Sequence, residues 1–280
     1  MAAITAELVK TLRDKTNAGM MECKGALNEA GGDLEKAEVI LRKKGTIKAD
    51  KKADRATKEG IVYALVDKAS GVGVLGEVNC ETDFVAKNDN FKSFVHELCS
   101  RVAKSADFSA EVPEVVEFIK VKIAELGENI VFRRFARYEG GKDSSLGSYI
   151  HLAGRVGVLI EATADKAVSE KEDFQVLLKD LCLHIAASSP RFLQREEVPA
   201  DIVSKERDIA ADQVKGKPAN VVDKIVDGKM NKFYADNCLL EQPFVKNPDQ
   251  TITDLLKNKI KELGGNIAIK RFTRYAVGGE

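Results

Sequence analysis

Two seventeen-residue segments of the chain are near copies of each other. Residues 122–138 and 259–275 are identical at eleven of seventeen positions, at an offset of 137 residues. Upstream of each segment, a stripe of apolar residues recurs at helical spacing with an offset of 83 residues. The stripe comprises Phe91, Phe94, Val95, Leu98, Cys99 and Val102 in the first copy and Phe174, Leu177, Leu178, Leu181, Cys182 and Ile185 in the second. A repeat of this kind indicates a duplicated structural unit.

Each copy contains the same order of predicted elements. The segments 71–78 and 155–162 are β-rich, and each follows another apolar run that ends in a turn. Both halves therefore read strand, strand, helix, helix, strand. This order predicts an α+β fold in which helices cover one face of a small antiparallel sheet. We assign residues 60–141 to the first subdomain and residues 142–280 to the second.

The second copy carries an insertion. Because the offset between the copies rises from 83 to 137, 54 additional residues lie between its two helices, at about 190–250. The apolar pattern of this segment predicts two helices joined by a tight turn at Lys217-Pro218. Such a helical hairpin is compatible with an interaction arm and equally with an element that packs against the core.

The chain begins with a predicted three-helix module at 1–45, which a basic linker at 46–59 connects to the repeats. Thr5 and Asp33 are predicted N-caps of the first and third helices. The segment from 42 to 58 contains eight basic and two acidic residues and no aromatic residue that could stack on a base. This composition favours an exposed linker or a solvated helix over the alternative function, a nucleic-acid-binding adaptor.

Composition and motifs argue against catalysis. The chain has 44 basic and 44 acidic residues, so it lacks the long-range field that attracts nucleic acid or an acidic membrane. No P-loop, nucleophile elbow or metal-ligand pattern is present, and the five cysteines include no CxxC pair. In the GxGxxG string that begins at Gly71, alternation continues through Glu77 and Val78, which predicts a turn and a strand rather than a dinucleotide site. We therefore expect no enzyme activity, no cofactor and no metal site.

The sequence also predicts a cytoplasmic location. No apolar run approaches the length of a membrane span, and Glu7 lies where a secretory signal would be apolar. The odd number of dispersed cysteines is typical of reduced thiols in the cytosol.

Three surface-prone features are candidate contact sites. Phe84 follows a predicted turn or cap at Thr82 and is either an exposed anchor or a hydrophobic staple that pins the next helix to the sheet. Met20 and Met21 are adjacent, so both cannot point into one small core, and an exposed methionine is an adaptable contact. His151 ends a predicted strand.

Several segments resemble the elongation factor Ts family, the guanine nucleotide exchange factors for elongation factor Tu. Residues 8–27 are similar to its N-terminal helical module, which resembles ubiquitin-associated domains. Residues 77–89, EVNCETDFVAKND, resemble the family signature. Residues 127–140, 146–159 and 184–193 resemble further family segments in the same order.

The resemblance implies that the turn at 82–85 enters the nucleotide domain of elongation factor Tu and disturbs its magnesium site. The partner contacts it implies are Thr82, Asp83, Phe84, Val85, Arg13, Met20, Met21, His151 and, at the end of the hairpin, Met230. Many relatives continue into a further helical module that grips the partner, whereas this sequence ends at Glu280. The resemblance therefore leaves open whether this chain makes that contact. The hairpin is a candidate surface for homodimer formation.

Overall fold

The structure is a computed structural model that describes residues 4–16, 18–214 and 219–279. Its N-terminal unit consists of the helices α1 (Ala6–Thr16), α2 (Met20–Glu29) and α3 (Leu34–Asp50). Thr5 accepts a hydrogen bond from the backbone N–H of Leu8, and Asp33 accepts one from the backbone N–H of Lys36, which confirms both predicted caps. A small core of its own, which includes Leu12, holds the three helices together.

The third helix does not end where the sequence pattern predicted. It continues past position 45 to Asp50, so the first part of the predicted linker at 46–59 is helical. The reason is tertiary, because Gly45 packs closely on Ala124 and the buried Ala49 joins the core of the following subdomain. The N-terminal unit is therefore joined to the first copy by a shared helix as well as by a linker.

The two copies have the predicted α+β fold. The first contains β1 (Glu59–Asp67), β2 (Val72–Cys80), α4 (Asp83–Lys87), α5 (Asp89–Lys104), α6 (Pro113–Leu126) and β3 (Ile130–Glu139). The second contains β4 (Ser144–His151), β5 (Val156–Ala164), α7 (Lys166–Ser169), α8 (Glu172–Ser188), α9 (Ala200–Asp212), α10 (Ala219–Asn237), β6 (Pro243–Phe244), β7 (Asn247–Thr251), α11 (Ile252–Leu263) and β8 (Ile267–Ala276). Each copy forms an antiparallel three-stranded sheet, in the orders β1-β2-β3 and β4-β5-β8.

All twelve residues of the predicted apolar stripes are buried, and they join α5 and α8 to their sheets. The string that begins at Gly71 is a turn followed by the continuous strand β2, as predicted. Gly71 adopts a φ of +68°, a conformation that glycine reaches without the steric cost of a side chain.

The two sheets pack against each other through the faces that the helices leave uncovered. The central strands β2 and β5 are therefore buried on both faces. Leu75 and Leu159 meet in this interface. Glycine allows the close approach, because a Cβ atom on Gly157 would lie 2.5 Å from Val62 Cγ1, far inside van der Waals contact. Gly73 occupies the equivalent position in β2, where a Cβ atom would lie 2.9 Å from Leu159.

A buried carboxylate in each copy ties this interface together. Glu77 is fully buried and accepts a hydrogen bond of 2.7 Å from Arg134 Nε, whose guanidinium lies 4.4 Å from the centre of the Tyr275 ring in the other copy. The equivalent residues of the second copy, which repeat the arrangement, are Glu161, Arg271 and Tyr138. Each copy thus places an arginine over a tyrosine of the other, an arrangement that adds a cation–π interaction to the ion pair.

A β-bulge at the same place in both copies explains how two consecutive basic residues reach one carboxylate. The register shifts after Glu77 in one sheet and after Glu161 in the other. Adjacent residues of a regular strand point to opposite faces, but a bulge allows both to point the same way. Arg133 and Arg134 consequently both contact Glu77, and the pair Lys270 and Arg271 contacts Glu161.

The insertion is anchored to the second copy by a buried histidine. His184 Nε2 lies 3.0 Å from Gln242 Oε1, and the backbone N–H of Val245 donates to His184 Nδ1 at 3.2 Å. Because Val245 donates to Nδ1, the proton of the neutral ring lies on Nε2 and is donated to Gln242. Burial lowers the pKa of His184, and the hydrogen bond to Gln242 opposes this shift in part. His184 thus has a structural role.

This histidine predicts a pH dependence of stability. Its folded pKa lies below the unfolded value of about 6.5, so the unfolded chain binds a proton first as the pH falls. The contribution of His184 to the free energy of unfolding is therefore complete above about pH 6.5. Below that pH it is lost, by up to about 1.4 kcal/mol per pH unit. Urea unfolding at about pH 7.5 and about pH 5.5 measures the loss. His184→Asn is expected to reduce it, and an unchanged loss in that variant would assign the dependence to other groups.

Candidate functional site

The most exposed large apolar side chain among the described residues is Phe84, which is 81% exposed. It lies on α4, a helix of five residues that directly follows the end of β2. Thr82 caps this helix by accepting a hydrogen bond of 3.4 Å from the backbone N–H of Val85. Val85 and Ala86 point into the core, so Phe84 is left on the outer face. The sequence allowed two positions for Phe84, exposed or packed as a hydrophobic staple. In the structure Val85 takes the packed position and Phe84 is exposed.

Asp83 is the acidic member of this turn. Its carboxylate accepts a hydrogen bond of 2.6 Å from Lys87 Nζ one helical turn later. That bond lowers the pKa of Asp83. The turn therefore presents an ionised carboxylate beside an aromatic ring.

The second copy provides an internal comparison for this turn. The apolar stripes of α5 and α8, which follow this turn in the two copies, are offset by 83 residues. At that offset Val168 corresponds to Val85, and each packs into the core of its own copy. Ala167 corresponds to Phe84. Both copies therefore keep the residue that the fold needs, whereas only the first has an exposed aromatic ring at this place. This difference indicates that Phe84 is not required by the fold.

The α4 turn that carries Phe84 is one exposed tip of the molecule, and a second exposed tip lies between β4 and β5. His151 ends β4 and is exposed, with its Nδ1 atom 3.1 Å from the hydroxyl of Tyr149. The following Leu152 is 65% exposed and has a φ of +49°, and Ala153 has a φ of +52°. Left-handed backbone at residues with a side chain costs about 1–2 kcal/mol each. Sequence reasoning missed Leu152, although the signal used for Phe84, an apolar residue at a turn, is present there too.

The two exposed tips lie at the same end of the paired sheets. Glu59 pairs with Cys80 in the sheet register, two residues before the cap of α4. Arg155, which follows the β4–β5 turn, forms an ion pair with Glu59, and Gly154 of that turn packs on Ile61. Phe84 and the segment 151–154 therefore flank the same strand end.

The N-terminal candidates are exposed as well. Met20 is 58% and Met21 is 76% exposed, so both methionines rather than one face solvent. Arg13 is exposed on α1. Met21 also lines an open cleft of about 470 Å³ that is bordered by α2, α3 and α6.

The basic segment at 42–58 is largely occupied by contacts within the chain. Ion pairs and a hydrogen bond to a backbone carbonyl engage five of its eight basic residues. These residues are Arg42 with Glu117, Lys44 with Glu29, Lys48 with Glu22, Lys52 with the carbonyl of Gly127, and Arg55 with Glu81. The segment thus bridges the N-terminal unit and the first copy, an arrangement that disfavours its use as a nucleic-acid patch.

Met230 does not lie where the sequence reasoning placed it. It is 4% exposed and packs in the core that α9 and α10 form with each other. The predicted turn at Lys217-Pro218 falls outside the described residues. Any contact by the hairpin is therefore expected from its outer faces, and Met230 itself stabilises the hairpin.

The described residues offer little reactive chemistry. All five cysteines are buried and unpaired with one another, and burial raises the pKa of Cys80, Cys99 and Cys182 to about 12. Within residues 4–16, 18–214 and 219–279, no cluster of three or more histidine, cysteine or acidic residues is arranged to hold a metal. In the same ranges, no helix has the length and apolar character needed to cross a bilayer.

Comparison with known proteins gives a consistent result. A family model described as elongation factor TS matches residues 81–279. A curated relative named elongation factor Ts, from Trichlorobacter lovleyi, is 44% identical over 292 residues, which cover 99% of this chain and 93% of the relative. Relatives of the same name from Aquifex aeolicus and Protochlamydia amoebophila are 41% and 40% identical. Each alignment covers 99% of this chain, and 99% and 100% of the respective relative.

Proposed function

The chain belongs to the elongation factor Ts family, and we propose on this basis that it is a guanine nucleotide exchange factor for elongation factor Tu. In this role it binds the GTPase, disturbs its magnesium site and promotes the release of GDP in the cytoplasm during translation elongation. It catalyses no covalent step. The observation that best supports the proposal is that Phe84 is exposed on a short capped helix. The second copy has no aromatic residue at this place.

Exchange of this kind follows from thermodynamic linkage. If the factor binds the nucleotide-free GTPase more tightly than the GDP-bound form, it weakens GDP binding by the same factor. Burying a phenylalanine side chain in an apolar pocket contributes about 1.5–3 kcal/mol. Each 1.4 kcal/mol of preference for the empty form corresponds to about tenfold in nucleotide affinity. One aromatic anchor therefore supplies a large share of the coupling.

The partner's magnesium ion supplies a second contribution. A bound Mg²⁺ neutralises phosphate charge, so displacing its ligands weakens the hold on the nucleotide. In our proposal Thr82, Asp83 and Phe84 act at this magnesium site. Val85, which packs on the core, holds the helix that presents them. Asp83 is ionised and its side chain is half-exposed, which suits it to disturb a site built on charge.

The other exposed candidates extend this surface. Leu152 and His151 lie at the same strand end as Phe84 and are proposed to contact a neighbouring part of the GTPase. Arg13, Met20 and Met21 are proposed to add contacts from the N-terminal unit. Association of two copies through the hairpin stays a prediction.

Stopped-flow release of fluorescent GDP from elongation factor Tu tests the proposal. The observed rate is expected to rise with the concentration of this protein and to reach a plateau. The proposal is wrong if the rate is the same at every concentration.

A further inference from the structure

One carboxylate, that of Glu128, holds the segment that leads into α4. Glu128 lies in the turn between α6 and β3. Its Oε2 atom accepts hydrogen bonds from the backbone N–H groups of Glu81 at 3.1 Å and Thr82 at 3.0 Å. Its Oε1 atom accepts a third from the Thr82 hydroxyl at 2.5 Å. Three donors immediately before α4 thus converge on one side chain.

The contact is reciprocal. The carboxylate of Glu81 accepts a hydrogen bond of 2.6 Å from the backbone N–H of Asn129, the residue after Glu128. The buried Asn129 side chain in turn donates to the backbone carbonyls of Ala53 and Arg55. Hydrogen bonds to an ionised acceptor are stronger than those between neutral groups. The start of α4 is therefore clamped to the α6–β3 turn, which is itself fixed to the linker.

The second copy lacks this clamp. At the offset of 137, Gly265 corresponds to Glu128. A Cβ atom on Gly265 would lie 2.6 Å from Val168 and 2.8 Å from the Asp165 carboxylate, so a glutamate does not fit there. Asp165 instead accepts a hydrogen bond of 2.9 Å from the backbone N–H of Asn266. The glutamate clamp and the exposed phenylalanine thus occur together in one copy and are both absent from the other.

We propose that Glu128 is a positioning residue for nucleotide exchange. It fixes the α4 turn so that Phe84 is already presented when the GTPase arrives, and this inference rests on the exchange function proposed above. An ordered turn reduces the conformational entropy that binding would otherwise cost. Glu128 acts through Thr82 and Phe84, and the inference requires no contact between Glu128 and the partner.

Glu128→Gln tests the inference, because glutamine keeps the size but removes the charge and replaces one acceptor oxygen with a donor. The rate of GDP release from elongation factor Tu at a saturating concentration of factor is expected to fall about tenfold, or about 1.4 kcal/mol. Hydrogen exchange at the amides of Glu81 and Thr82 is expected to accelerate. In a Phe84→Ala background the same substitution is expected to have no further effect on release.

Glu262→Gln is the matched control. Glu262 lies near the end of α11 in the second copy and pairs with Lys259, so the change is chemically identical but is made in the copy that lacks the clamp. Its release rate is expected to equal that of the parent. If Glu128→Gln does not fold, Thr82→Val removes one of the three bonds to Glu128, that of the hydroxyl, together with the cap of α4, and leaves the two backbone N–H donors in place.

The outcomes separate the two proposals. If the parent protein itself does not accelerate GDP release, the exchange function is wrong. If the parent is active and Phe84→Ala is impaired, but Glu128→Gln releases GDP at the parent rate, the positioning role is wrong. It is also wrong if Glu128→Gln lowers release by the same factor with and without Phe84, since the glutamate then acts by another route.

Discussion

Phe84→Ala is expected to lower the rate of GDP release from elongation factor Tu by about ten- to a hundredfold. The range follows from the loss of about 1.5–3 kcal/mol of apolar burial in the complex, at about 1.4 kcal/mol per tenfold. Because Phe84 is exposed in the free protein, its free energy of unfolding is expected to change by no more than about 0.5 kcal/mol. Stopped-flow release and urea unfolding of the same variant measure the two quantities.

Val176→Ala is the control for this substitution. Val176 is 50% exposed on α8, on the outer side of the second copy, so the change removes exposed apolar surface away from the proposed contact. It is expected to release GDP at the parent rate. A Phe84→Ala variant that is markedly unstable, yet fully active per folded molecule, would show that Phe84 acts as a staple.

Gly157→Val is expected to lower the free energy of unfolding by about 1–3 kcal/mol or more, measured by urea denaturation. The added side chain begins with a Cβ atom 2.5 Å from Val62 and 2.9 Å from Leu75 in the facing sheet. Since Val62 is short and branched, it has little freedom to move away. The two sheets must separate or shift, and the tips at Phe84 and Leu152 shift with them.

Gly141→Val is the matched control for the sheet interface. A Cβ atom on Gly141 would meet no atom within 4 Å, and its backbone is not left-handed. The free energy of unfolding is expected to stay within about 0.5 kcal/mol of the parent value. If Gly157→Val is equally harmless, the sheet packing described above is not what holds the two copies together.

Much of the fold was predictable because it depends on local periodicity. Helical spacing identified the apolar stripes of α5 and α8, and all of their members are buried. Polar caps identified the starts of α1 and α3. The repeat offset located the insertion between α8 and α11, since a duplicated unit must keep its own elements in order.

The features that escaped prediction depend on contacts between distant segments. The sheet-on-sheet interface requires knowing that the second face of β2 is covered by β5, which no local pattern encodes. The extension of α3 to Asp50 depends on α6 as a neighbour. The burial of Met230 depends on how α9 and α10 rotate against each other.

The candidate site was predictable only in part. An aromatic at a capped turn allowed both an anchor and a staple, because the sequence does not show which of Phe84 and Val85 points inward. The roles of the remaining partner contacts came from family resemblance, and they stay predictions. Glu128 gave no local signal, since its three donors lie 46 and 47 residues earlier in the chain.

The central claim is that this protein prefers elongation factor Tu with an empty nucleotide pocket. Titration calorimetry of the full chain against the nucleotide-free GTPase and against its GDP-bound form tests the claim most directly. We expect binding to the empty form to be at least about tenfold tighter, a difference of about 1.4 kcal/mol or more. Equal affinity for both forms would contradict the account, because a factor without such a preference cannot displace the nucleotide.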